Sequence, residues 1–173
     1  MSETVKSSTL LTEADIWAVL ATVKDPEIPV LSLLDMGMIT KVSTPRSQVS
    51  SHATITMTPT FIGCPAINVI KKDIHDAVIQ LGFEEVIVLV DLETTWDSNR
   101  MSPDAKAKLE KFGIAPPVSY TDEELSLEML DRVRCPHCSS TDTTLRSSFG
   151  STLCRAIRFC FNCKQGFEQF KPV

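Results

Sequence analysis

The chain of 173 residues, 43% hydrophobic, is long enough for one ordinary domain with a true core plus a small module. No apolar run approaches the roughly 20 residues that a membrane helix needs. The opening residues lack the basic start and apolar stretch of a signal peptide, so a cytoplasmic protein is expected. Charge divides the chain: residues 1–133 carry a net −9 and residues 134–173 a net +4, and the acidic body argues against nucleic acid as a partner.

Residues 1–11 read as frayed. Thr12 followed by Asp15 is a capping-box start, and Ile16, Val19, Leu20 and Val23 then recur at helical spacing. That helix must stop before Asp25-Pro26, because proline disfavours helical geometry in the residue before it. Asp25-Pro26-Glu27-Ile28-Pro29 is a stiff turn, and Leu31 to Met38 is apolar and ambiguous, broken by Gly37. Met38 to Ser43 and Val49 to Thr58 read as strands, the second with Ile55 and Met57 on one face.

A loop, Pro59 to Pro65, then delivers Cys64 to a helix start. Cys64 is expected at the N-cap and Pro65 at the first helical position. The helix runs through Ile67, Ile70, Ile74, Ala77, Val78 and Leu81 to Gly82. Glu85 to Leu92 reads as a central strand, being strongly apolar. Ser102-Pro103-Asp104 opens a short helix that Gly113 closes, and residues 114–133 read as a linker. The order helix, strand, strand, helix, strand predicts a small α+β domain over residues 12–113. It holds a mixed three-stranded sheet with packed helices, the second and third strands joined in a right-handed βαβ crossover. The last 40 residues, 134–173, are expected to hang off its end as a metal ribbon.

Cysteines carry the chemistry. Cys135 and Cys138, then Cys160 and Cys163, form two Cys-x-x-Cys turns, and two such turns complete a tetrahedral four-sulfur centre. So short a module buries too little apolar surface to fold unaided, so zinc as a structural metal is the expected occupant, with iron as the other ion that such sites take. Cys154 is either a small buried hydrophobe or a spare thiol near that metal. His137 sits inside a turn whose ends are already ligands and is not expected to be one. Cys64 has two readings: a thiol activated by unpaired helix N–H groups, or a packed one. Asp25 and Glu27 flank Pro26 and can ligate a hard metal or place a proton, or simply form a solvated helix stop. Five phenylalanines (149, 159, 161, 167 and 170) lie among basic residues in the ribbon, where they form its core or a base-stacking surface. No nucleophile triad, phosphate loop or nucleotide fingerprint is present, so the chain is not expected to be an enzyme by itself.

Three blocks together carry a family likeness: Asp25 to Pro29, Leu33 to Ile39, and Thr58 to Ala66. They resemble the domain shared by SufT and the eukaryotic cytosolic iron–sulfur targeting factors. Downstream, Trp96 to Ser102, Phe112 to Pro117, the first knuckle, Phe149 to Cys154, and the second knuckle ending at Lys171 are similar to the PaaD family of the bacterial phenylacetate pathway. The likeness spans residues 12–171. It implies an accessory factor of the multicomponent phenylacetyl-CoA epoxidase, with the oxygenase or reductase subunits as partners and a role in maturing their iron or iron–sulfur cofactor. It further implies Cys64 as the functional thiol, oriented by Asp25 and Glu27, with a transient iron–sulfur cluster as cargo. A homodimer bridged through two Cys64 residues is left open, as is a purely structural zinc adaptor. No Glu-x-x-His pair is present, so the chain does not itself carry a di-iron oxygenase site. Asn99 and Arg100 depart from the family's acidic and aromatic residues, Ser139 replaces a glycine, and Pro172 replaces a final cysteine.

Overall fold

A computed structural model describes residues 11–44, 52–118 and 133–172. Residues 1–10 of the expected frayed opening, the start of the second strand (49–51) and most of the expected linker (119–132) lie outside the described residues, while Leu11 packs against the core.

Local sequence signals set the helix ends. Helix α1 (Glu13–Leu20) begins with the full capping box: the Thr12 hydroxyl accepts from Asp15 N–H, and Asp15 accepts from Thr12 N–H at 2.8 Å. Helix α3 (Pro103–Phe112) starts on Ser102, whose hydroxyl accepts from Ala105 N–H, with proline in its first turn. It ends on Gly113 at φ +91°, where a side chain would be strained.

Three strands form the first sheet in the order β1 (Ile39–Ser43), β2 (His52–Met57), β3 (Glu85–Val90). β1 runs antiparallel to β2, and β3 runs parallel to it in the register Ile55 to Val88. The parallel pair spans helix α2 (Ile67–Ile79), so the βαβ unit is present. β2 alternates cleanly, with Ala53, Ile55 and Met57 fully buried in the core that α1 and α2 share. β3 is an edge strand rather than the expected central one. β2 takes that place, and Ile87 and Leu89 on β3 stay 40% and 49% exposed. A continuous apolar run suggested burial on both faces, but only Val86 is buried.

The C-terminal module is a second sheet in the order β4 (Ile114–Ala115), β7 (Gly166–Phe170), β6 (Arg155–Cys160), β5 (Thr143–Ser147). It does not hang free. Ile114 and Ala115 leave α3 directly and pair in parallel with Glu168 and Gln169 of β7. Phe170, with no exposed surface, and Cys154 both join the core of the first domain. The Trp96 ring meets that of Phe170 at 5.8 Å. A smaller core of Ala115, Val133, Cys135, Cys160 and Phe167 belongs to the ribbon alone. Of the five expected ribbon phenylalanines, Phe167 and Phe170 are core residues, whereas Phe149 and Phe161 are exposed.

Candidate functional site

The four ribbon cysteines converge. Their sulfurs lie within 4.8 Å of one another, with Cys135 Sγ 3.7 Å from Cys163 Sγ and Cys138 Sγ 3.6 Å from Cys160 Sγ. A tetrahedron with metal–sulfur bonds of about 2.3 Å has edges of about 3.8 Å, so the four thiolates fit such a metal ion closely. Asn162 Nδ2 donates to Cys138 Sγ, a supporting contact outside the ligand set. Both knuckles end on a residue in the left-handed region, Ser139 and Lys164, each at φ +61°. This conformation lets the turn fold its N–H groups toward the ligands, and Ser139 N–H closes the first turn on Cys135 O at 2.8 Å. His137 is not in the ligand group. Its imidazole instead lies beside Gly113, at the end of α3.

A second site lies where the ribbon meets the body. Asp25 is 7% exposed, and its Oδ1 accepts from both Glu27 N–H and Ile28 N–H at 2.8 Å. One carboxylate oxygen therefore shapes the turn around Pro26, while the second is left out of that turn. Burial pushes the Asp25 carboxyl above its ordinary value, and the two N–H donors and Arg155 offset only part of this. Glu27 is raised by burial and then by the Asp25 charge beside it. The turn is closed by Asp25 N–H donating to Leu31 O and by the bridge from Lys24 to Ser32.

The Leu33 to Ile39 block serves as a brace. Asp35 accepts from Ser32 N–H and from Lys108 of α3 at 3.0 Å, and Trp96 Nε1 donates to Met36 O at 2.9 Å. Gly37 sits at φ +64°, and a Cβ there would stand 2.7 Å from Arg100 Cβ. The brace thus seats Met36 and Met38 as a buried wall of the site.

Cys64 arrives on the Pro59–Pro65 loop after β2. It is not the N-cap: α2 starts at Ile67 on Ala66, two residues later. Pro65 accordingly precedes the helix instead of opening it. The Ala66 and Ile67 N–H groups at the start of α2 nonetheless favour the thiolate, although Ile67 N–H also donates to the Cys64 carbonyl at 3.3 Å. Gly63 at φ +87° makes the turn, and no atom lies within 4 Å of where its Cβ would be, so conformation and not crowding requires glycine. Of the two readings of this thiol, the surroundings do not favour activation. Burial raises Cys64 above its ordinary value, Glu27 and Asp25 raise it further, and the helix donors do not compensate.

Asp25, Glu27 and Cys64, chosen from the sequence, line one narrow cleft with Ile28, Met36, Met38 and Phe61. Its volume of about 10 Å³ is room for about one water molecule. Sequence reasoning missed the opposite wall, which is Leu153 and Cys154 of the ribbon. Cys154 is not beside the four-sulfur centre. It precedes β6, whereas Cys160 of the four-sulfur cluster ends that strand. The ribbon is fastened over the cleft by Arg155, whose Nη2 donates to Glu27 O and whose Nη1 donates to Glu168, both at 2.7 Å. Lys171 Nζ completes the closure, lying 5.5 Å from the Phe61 ring of the cysteine loop and 5.4 Å from Phe149 of the ribbon.

Known proteins match both modules. The model of the PaaD zinc beta ribbon domain fits residues 121–171, and that of an iron–sulfur cluster assembly protein fits residues 13–93. The chain is 40% identical over 159 residues to the D component of the putative 1,2-phenylacetyl-CoA epoxidase of Escherichia coli (strain K12), covering 92% of each. It is 37% identical over 101 residues to an Fe-S protein maturation auxiliary factor of Porphyromonas gingivalis, covering 58% of this chain and 92% of that one. Among solved structures, a domain of unknown function (DUF59) from Bacillus anthracis superposes with a TM-score of 0.51 at 31% identity, over 56% of this chain and 90% of that one. With both modules matched in order and that degree of identity running nearly end to end, the chain belongs to the PaaD family of phenylacetyl-CoA epoxidase components.

Proposed function

We propose that this protein is a non-catalytic accessory factor of a phenylacetyl-CoA epoxidase, assisting the iron or iron–sulfur maturation of an oxygenase or reductase subunit in the cytoplasm. Cys64 is the thiol that meets the cargo, and Asp25 and Glu27 orient the site. The four-cysteine centre holds zinc as the structural metal of a ribbon that recognises the partner. The observation that carries this reading is the cleft itself: a half-buried thiol and two acidic side chains from different segments face one another. Support comes from the two relatives, one bearing the name of an epoxidase subunit and the other that of a maturation factor.

In cells expressing the epoxidase subunits, Cys64→Ala is expected to lower epoxidase activity and the iron content of the purified partner by about tenfold, the scale on which loss of a metal-supporting group acts. Unchanged activity and iron content would sink the maturation role. One observation favours a structural adaptor instead: the cleft, at about 10 Å³, is far too small for a cluster while the ribbon is seated. Under that reading the Cys64→Ala protein still co-purifies with the partner, and the partner keeps its iron.

A further inference from the structure

Two cysteines ninety residues apart in sequence open onto one cleft. Cys64 comes from the body and Cys154 from the ribbon loop, and among the groups around them are Asp25 and Glu27. The placement of Cys154 is held from three sides. Its carbonyl accepts from Lys171 N–H at 2.9 Å, and its sulfur lies 3.1 Å from Thr152 Oγ1. The next residue, Arg155, is tied to the backbone of Glu27 on the far wall. Burial raises both thiols, the Asp25 and Glu27 charges beside them raise each further, and Arg155 opposes this at Cys154. Two acidic side chains in a confined cleft favour a cation over an anion, and two sulfur donors select a thiophilic one.

The contrast with the ribbon centre indicates how firmly such an ion is held. There, four sulfurs crowd within 4.8 Å of one another; among the described residues no three of Cys64, Cys154, Asp25 and Glu27 do so. A grip of two thiols leaves coordination positions open, as an ion that must be passed on requires, whereas four closed ligands retain their metal. Resting on the iron-handling reading of Cys64 given above, we propose that Cys64 and Cys154 together form a two-thiol site for a first-row divalent ion such as iron(II), with the ribbon supplying half of it. Binding forms two metal–sulfur bonds and releases the two thiol protons to water, with no change of oxidation state.

Cobalt(II) is the probe, added without oxygen to the full chain with its ribbon already loaded with zinc. Wild type is expected to show a sulfur-to-cobalt charge-transfer band. Cys154→Ser and Cys64→Ser are each expected to cut its intensity to about half and weaken binding about tenfold, and the double variant to abolish it. Zinc content held at its starting level confirms that the ribbon centre is untouched. A Cys154→Ser protein with the wild-type band and affinity overturns the two-thiol site while leaving Cys64 in its role. A band indifferent to Cys64→Ser as well overturns both. Should Cys154→Ser fail to fold, Cys154→Ala decides, since it removes the sulfur without burying a hydroxyl: a weakened, half-intensity band is expected, and the wild-type band and affinity refute the proposal.

Discussion

Single residues set the geometry of the cysteine turns, and Ser139 shows this most directly. It holds a backbone conformation at φ +61° that an L side chain adopts only under strain. Its N–H is engaged with Cys135 O, so the turn cannot relax without losing a contact of the knuckle. Ser139→Gly removes the side-chain clash but admits more freedom in the unfolded chain, and the first effect wins at a left-handed residue. The metal-loaded protein is expected to gain about 1 kcal/mol, read from denaturant unfolding. Cys64 illustrates the opposite limit of inference from one residue. Its neighbours in sequence allowed either an acidified or a packed thiol, but in space it is buried beside two carboxylates. Helix donors act over one turn, whereas burial and like charge come from segments that only the fold assembles.

Elements were legible in the sequence where their signals are local. The caps of α1 and α3, the alternation of β2 and the two knuckles all rest on contacts within a few residues. Strand order is not local, which is why β3 could be recognised as a strand and still be misplaced in its sheet. The same holds for Cys154: nothing in its immediate sequence says that β4 will pair with β7 and bring the loop ahead of β6 onto the body. That loop is anchored by Glu168, whose carboxylate accepts from Arg155 and from Ser151 N–H, both at 2.7 Å. Burial alone would raise the Glu168 carboxyl, but these donors hold it below its ordinary 4.5. An acid depressed in the native state contributes stability above 4.5 that is lost as pH falls through the lower native value. The protection of residues 149–155 against hydrogen exchange, taken relative to the intrinsic amide rate at each pH, is therefore expected to fall on acidification below pH 4.5, and Glu168→Gln to flatten that dependence.

At the scale of the whole molecule, the two modules have unequal means of standing alone. The body has an extensive core that draws on its described helices and the first sheet, whereas among the described residues the ribbon's own core consists of five, two of them cysteines of the four-sulfur cluster. Stripping the metal with a chelator is expected to unfold the ribbon and leave the body folded. Because the ribbon forms one wall of the cleft, the same treatment should speed alkylation of Cys64 several-fold, as measured by mass spectrometry. A rate unchanged by the chelator would mean that the cleft opens without the ribbon moving.

The tilted contact of Trp96 with Phe170 has a practical corollary. Only two tryptophans occur in the chain, and this one is 2% exposed, with its indole N–H held by Met36 O. Its neighbour Phe170 belongs to the last strand of the ribbon. Undocking would wet the indole and redden its emission, so the protein carries an intrinsic optical gauge of whether its thiol chamber is shut, readable in solution without any label.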